Sequence, residues 1–359
     1  MSAGRFWLEL ARRLESQNNQ GLSKMNQMSK LLKGKRIFID TQAFRQARFA
    51  VSNPSFVKLR ELCKARKLTL LTTEITRREI DANILEVAFE IKNAIEKIAV
   101  LQPDLVVFGQ PAKQLTEIDL AKTLTKQVNE FFEGCGAVLV ELPKTALATV
   151  LDLYFNRQPP FGEGKKKAEF PDAFVLEALK TKAGINDESV YVVSADPDYV
   201  NACEKNPHLE NISSLSRFLD LYNGHAETIS QVHATVTKNL KLIETKLQEI
   251  VETLQGGMRG LPGQVRIHSV KVVEILDTLV ISCDGPTASV EFVSNVAVDA
   301  SLETVFSEDF QPDFRRVCSA EVVSITLDFK FDPANTDVFE VQTYWAPTIL
   351  SIAPPSAVR

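Results

Sequence analysis

The sequence predicts an α/β protein: a doubly wound, mostly parallel sheet flanked by helices, then a long amphipathic helix and a small antiparallel β domain. Three observations predict it. Between about 36 and 224, short apolar runs alternate with long helical patterns. From 225 to 254 apolar residues recur every three or four positions, and beyond 264 the period drops to two. Buried parallel strands, an amphipathic helix and half-buried antiparallel strands produce those three patterns.

Residues 1–35 read as a basic amphipathic arm. Through position 36 the chain holds eight Lys or Arg against two Glu, and Phe6, Trp7, Leu8, Leu10 and Leu14 give the arm one apolar face. The runs Ile37–Ile39, Leu68–Leu71, Ala137–Leu142 and Val190–Val193 are the strands of a domain spanning 36–224. They carry almost no charge, as strands buried on both faces must. Helices are predicted at 54–66, 74–100, 111–134, 143–156 and 171–183. Thr73 or Thr76 can cap the second of these, with Glu79 three residues after Thr76 as a capping-box partner.

Ile229, Val232, Val236, Leu240, Ile243, Leu247, Ile250 and Leu254 predict one helix over 225–254. Its stripe would pack on the chain itself or pair in a dimer. Four glycines and a proline between 255 and 264 read as a linker. In 265–350, Ile325, Leu327, Phe329 and Phe331 alternate with polar residues. Val265/Ile267, Leu279–Ile281, Val290/Phe292, Val296/Val298 and Phe339/Val341 add short strands, separated by turn signals at Asp284-Gly285-Pro286 and Asp332-Pro333.

Length and composition exclude whole classes. At 359 residues, 45% hydrophobic and 24% charged, the chain is neither disordered nor fibrous and has length for two or three domains. No window approaches the ~18 uninterrupted apolar residues of a membrane helix. The opening residues alternate apolar and charged positions, which predicts no secretory signal. Five scattered cysteines with no C-x-x-C pair predict buried thiols in a reducing cytoplasm. Residues 265–359 carry six Lys or Arg against fourteen Asp or Glu, so that part is a poor partner for a phosphate backbone.

Four isolated histidines lack metal-ligand spacing, and the phosphate-cradling loop, the dinucleotide fingerprint and the serine-nucleophile elbow are all missing. Carboxylates at strand ends remain. Asp40 follows the first strand directly and Asp196 follows the fourth, so both leave the edge of a parallel sheet where ligands bind. Asp172 falls in the first turn of a helix begun by Pro171, and Glu79 in the helix after the second strand. Taken singly, such acids complement helix dipoles or cap turns.

Together they resemble the PIN-domain family of metal-dependent nucleases over roughly 36–222. The resemblance rests on Ile37-Phe-Ile-Asp40, on Arg77-Arg-Glu79, on Phe170-Pro-Asp-Ala-Phe-Val-Leu176, and most on Val192-Val-Ser-Ala-Asp-Pro-Asp198. It implies catalytic Asp40, Glu79, Asp172 and Asp196, with Asp40, Asp172 and Asp196 holding Mg²⁺ or Mn²⁺ and Ser194 and Asp198 supporting them. It also implies hydrolysis leaving a 5′-phosphate and a 3′-hydroxyl. The chain differs from small toxin-type members in its length, in an extra helix between the second and third strands, and in the appended β domain.

Electrostatics supplies an independent reason for a cation if these acids converge. Two carboxylates about 4 Å apart repel by roughly 1 kcal/mol in water and roughly 4 kcal/mol at an effective dielectric of 20. Oxygen-only donors suit hard ions such as Mg²⁺ or Mn²⁺. Upstream of the third acid, Lys165, Lys166 and Lys167 stand in a Gly- and Pro-rich loop able to draw in a phosphate backbone. Arg77, Arg78, Lys33, Lys35 and Arg36 could extend that basic strip.

The sequence therefore reads as a cytoplasmic endoribonuclease acting on single-stranded RNA in preference to DNA. A protein partner or second copy would dock through the 225–254 helix or the acidic β domain, and no membrane is involved. The rival is a non-catalytic nucleic-acid-binding or scaffolding module of the same fold. A small-molecule phosphatase is disfavoured, since Asp40 is followed by Thr-Gln-Ala and no Asp-x-Asp is present.

Overall fold

The computed structural model describes residues 34–100, 117–161, 169–184, 188–223, 227–258, 264–304, 313–332, 334–347 and 349–352. The predicted arm up to 33, the lysine run 165–167 and the end of the predicted helix-to-sheet linker at 259–263 lie outside them.

The first sheet has five parallel strands: β1 (Arg36–Ile39), β2 (Thr69–Thr72), β3 (Val138–Leu139), β4 (Val190–Val193) and β5 (Leu209–Ile212), ordered β3-β2-β1-β4-β5. Ile37, Phe38 and all four residues of β4 are fully buried, which explains their unbroken apolar sequence. The strand β5 escapes the sequence reading because Glu210 and Asn211 interrupt it, only Leu209 and Ile212 being buried. Helices α1 (Thr41–Gln46), α2 (Pro54–Lys64), α3 (Glu74–Val100), α4 (Glu117–Cys135), α5 (Ala146–Phe155), α6 (Phe170–Gly184), α7 (Pro197–Glu204) and α8 (Leu215–Asn223) surround it. At the start of α3 the Thr73 hydroxyl accepts from the Thr76 N–H at 3.1 Å, so Thr73 is the cap and Glu79 is released from that duty.

The predicted 225–254 helix is two helices, α9 (Glu227–Lys238) and α10 (Leu240–Glu252), broken at Asn239. Asn239 Nδ2 donates to the Thr235 and Thr336 carbonyls at 2.9 and 3.0 Å, which ties the break to the second sheet. A straight helix would leave a twisted sheet at one end, whereas two shorter ones follow it. Their apolar stripe, Ile229, Val232, Val236, Ile243, Leu247 and Ile250, is buried against Val280, Phe292, Ile325, Leu327 and Phe329. This face is covered by the chain's own sheet and is not offered to a partner.

That sheet contains β6 (Gln255–Met258), β7 (Gln264–Asp284), β8 (Thr287–Thr304), β9 (Asp313–Asp332), β10 (Asn335–Trp345) and β11 (Ile349–Ile352), ordered β10-β9-β8-β7-β6-β11. It is antiparallel except where β11 pairs parallel with β6. Residues 255–258, expected to begin a linker, are thus a strand. A Cβ at Gly256 would lie 2.6 Å from Val265 Cγ1, so the glycine serves close strand approach. Several strands read as short are halves of long ones. Four register shifts along β7 break its two-residue alternation, and β7 reads as separate segments although its pairing with β8 runs from Gln264 to Asp284.

Residues from Lys35 onward form one compact unit. The two sheets meet through α8: Asn223 Nδ2 donates to the Val280 and Ile281 carbonyls at 3.0 and 2.9 Å, and Asp220 Oδ1 accepts from the Val280 N–H at 2.9 Å. Ser216 Oγ donates to Glu291 Oε2 at 2.6 Å and contacts Ser55 Oγ of α2. All five cysteines are free, with Cys63, Cys135 and Cys203 buried as expected but Cys318 exposed on β9. No described helix is long and apolar enough to cross a membrane.

Candidate active site

The central strands β1 and β4 lie side by side, with Ile39 opposite Val193. From β1 the sheet grows through β2 and β3 on one side, and β4 and β5 lie on the other. The crevice at the carboxyl ends of β1 and β4 is therefore where a ligand fits such a sheet. Asp40 leaves β1 into that crevice. Its N–H donates to the Val193 carbonyl at 3.0 Å, extending the ladder by one residue and fixing the acid's backbone.

Four acids reach this place from four segments. Asp40 is buried, and its Oδ2 accepts from the Ser194 hydroxyl at 2.9 Å. The same Ser194 oxygen accepts from the Asp196 N–H at 3.1 Å, which shapes the turn after β4. Asp196 caps α7 by accepting from the Asp198 N–H at 2.7 Å, with Pro197 opening the helix. Glu79, one turn into α3, accepts at Oε2 from the Thr41 hydroxyl at 3.1 Å. Asp172, in the first turn of α6, accepts at Oδ1 from the Tyr199 hydroxyl at 3.1 Å.

Burial and neighbouring carboxylates raise the pKa of three of them. Burial raises the Asp40 pKa, and the Asp196 charge adds to the rise against hydrogen bonds from Ser194, Thr41 and Gln42. Glu79 is raised by burial and then by Asp40. Asp172 is pushed up to about 7 by burial, then by the Glu79 charge, hydrogen bonding with Glu169 and the Asp40 charge. Tyr199 stays a phenol, its pKa raised by burial and by three of these carboxylates. Asp40 thus couples electrostatically to each of the other three acids.

A stability prediction follows from these directions. For an acid whose pKa is higher folded than unfolded, the folded state gains stability that is complete below the unfolded value near 4. That gain is lost as pH rises through the folded value. The metal-free protein is expected to lose a few degrees of thermal midpoint between pH 5 and pH 8. Asp172→Asn should flatten the slope, which thermal scans at fixed ionic strength would measure. An unchanged slope in the variant would remove Asp172 from the coupled set.

Of the two arginines after β2 predicted to bind nucleic acid, Arg77 is engaged in the fold. Arg77 Nη2 donates to Asn129 Oδ1 at 2.6 Å, and its guanidinium lies 4.1 Å above the Phe132 ring, so it packs α3 against α4. Arg78 is exposed and paired with Glu74 at 2.9 Å. Arg36 pairs with Glu188 at 3.0 Å and donates to the Lys182 carbonyl. Thr41 and Tyr199 are absent from the sequence reading, although both sit beside its motifs. Thr41 follows the first acid, and Tyr199 stands three residues after Asp196, inside the first turn of the capped helix.

Among the described residues, no group of three His, Cys, Asp or Glu side chains is arranged to hold a metal ion as it stands. The donor chemistry still fits a hard divalent cation: oxygen-only, partly desolvated, mutually repelling carboxylates. Mg²⁺ binds through one or two such groups and keeps several waters.

No curated protein and no solved structure matches the chain. A family model described as the PIN domain matches residues 37–199, a span that contains Asp40, Glu79, Asp172 and Asp196 and closes at Tyr199. Domains of this family are generally nucleases. The five-stranded parallel sheet and its flanking helices agree with that match. Over residues 37–199 this chain is therefore similar to the PIN domain, in sequence and in its parallel central sheet.

Proposed function

We propose that this protein is a metal-dependent endoribonuclease that hydrolyses single-stranded RNA in the cytoplasm. The observation that carries the reading is the meeting of Asp40, Glu79, Asp172 and Asp196, from four segments, at the sheet's ligand-binding edge, where burial and neighbouring carboxylate charge raise the pKa of Asp40, Glu79 and Asp172. Like charges gathered at that edge cost folding free energy, and a cationic ligand is the physical compensation.

Asp40, Asp172 and Asp196 would hold Mg²⁺ or Mn²⁺, which supplies charge neutralisation at the scissile phosphate and lowers the pKa of an attacking water. The chain's own groups orient and transfer protons. Ser194 and Thr41 hold one oxygen each of Asp40 and Glu79 in place. Asp172, pushed up to about 7 by burial and neighbouring carboxylates in the metal-free protein, would give up its proton as the cation binds. Asp198 supports the turn through its N–H bond to Asp196. Lys165, Lys166, Lys167 and Arg78 are the phosphate contacts of this reading, and the free cysteines accord with a reducing compartment.

A second reading is a PIN module that binds nucleic acid without cutting it. It is favoured by the open arrangement of the acids, in which no three described donors stand ready for one ion. Incubating the full chain with end-labelled single-stranded RNA or DNA of one sequence, with Mn²⁺ or with EDTA, separates the two. The nuclease reading expects RNA fragments bearing 5′-phosphates only with the metal. Retention of intact RNA on the protein under both conditions supports the binding module.

A further inference from the structure

We propose that Tyr199 is a positioning residue of the acid site, its hydroxyl setting the Asp172 carboxylate relative to Asp40 and Asp196. The proposal rests on the nuclease reading and names a residue that acts through Asp172.

Three elements that carry acids meet at this one side chain. Tyr199 occupies the first turn of α7, the helix capped by Asp196, so its backbone moves with that acid. Its ring stacks on Phe38 of β1, with centroids 6.5 Å apart and planes 14° from parallel. Phe38 and Asp40 are two residues apart, and the ring is therefore held by the segment that delivers the first acid. The hydroxyl then crosses to α6 and donates to Asp172 Oδ1 at 3.1 Å.

Packing alone does not call for that oxygen. Tyr199 is 2% exposed, within a core of Val175, Leu176, Leu179 and Val192, where a phenylalanine would fill almost the same volume. A buried hydroxyl without a partner destabilises the fold, and this one is satisfied by the acid it orients. Asp172 sits in the first turn of its helix. A fixed donor on one of its oxygens removes rotamers that turn the carboxylate away from the crevice. Hydrogen-bond partners of metal ligands act in this way, and their loss typically weakens metal binding by about 10–100-fold.

Tyr199→Phe in the full chain tests it, with Ile243→Val on α10, far along the chain and buried on the second sheet, as a variant of comparable mild destabilisation. Mn²⁺ binding is measured by the loss of the free-ion paramagnetic resonance signal, alongside the metal-free thermal midpoint and RNA cleavage at saturating Mn²⁺. The expected result is an Mn²⁺ Kd at least about tenfold weaker for Tyr199→Phe, restoration of kcat to within about threefold at saturation, and unchanged affinity for Ile243→Val. A Tyr199→Phe protein that binds Mn²⁺ as tightly as the wild type overturns the positioning role and leaves the nuclease reading standing. A wild type that neither binds Mn²⁺ nor cuts RNA overturns both. Equal weakening by Ile243→Val also overturns the proposal, because loss of stability alone then explains the effect. Should the phenylalanine variant not fold, Tyr199→Met carries the same measurements and the same outcomes.

Discussion

Asp40→Asn and Asp172→Asn are each expected to abolish RNA cleavage, by a factor of at least about 10², while leaving the metal-free fold intact. Asparagine keeps the shape of aspartate and can still accept from Ser194 or Tyr199, so the hydrogen bonds that build the crevice survive. What disappears is a formal negative charge. Several kcal/mol of transition-state stabilisation depend on a correctly placed ion, and each 1.36 kcal/mol is tenfold in rate, so a loss of about 10² or more follows. Stability should move the other way. Burial and mutual repulsion raise the pKa of both acids, so a neutral replacement relieves strain, and the metal-free midpoint at pH 7–8 is expected to hold or rise. Added Mn²⁺ should stabilise the wild type against heat and the variants much less, because a ligand stabilises only the state that binds it. Wild-type cleavage rates in both variants would refute the assignment, as would a wild type with no Mn²⁺-dependent shift.

The second large effect concerns the appended sheet. A fragment ending at Leu254 is expected to aggregate or to lose the structure of α9 and α10. Seven side chains of those helices, Ile229, Val232, Val236, Ile243, Leu247, Ile250 and Val251, belong to the core they share with the sheet. At roughly 1.5–3 kcal/mol for each buried apolar side chain, their exposure removes on the order of 10–20 kcal/mol, an upper bound. Typical domain stability is only about 5–15 kcal/mol. The full chain should accordingly unfold in a single calorimetric transition. A soluble, fully helical monomer of 1–254, or proteolysis at 259–263 that leaves two folded pieces, would instead make the sheet an independent module.

The positions of the candidate acids were legible in the chain because they are carried by local patterns. Strands such as Ile37–Ile39 and Val190–Val193 announce burial on both faces, and an acid placed directly after each announces the sheet edge. Pro171 opens the helix that holds Asp172, a signal that needs no tertiary knowledge. Charge counting likewise separated a basic amino-terminal stretch from an acidic carboxy-terminal one.

Tertiary structure decided what local pattern cannot encode. Arg77 beside Glu79 looks like a phosphate contact until Asn129 and Phe132, more than fifty positions away, take up its guanidinium. Gly256 reads as linker until Val265 approaches too closely for any side chain. The apolar stripe of 225–254 is equally good for a partner or for the chain's own sheet, and only packing against Phe292 and Leu327 chooses. Tyr199 looks like one more core aromatic until its hydroxyl reaches Asp172 across 27 positions of sequence. Periodicity and capping are set by neighbours within one helical turn or strand pair, so the sequence determined the elements and the acids they bear. Register, close approach and hydrogen bonds between distant segments depend on how those elements are stacked, and that was settled only when the chain folded.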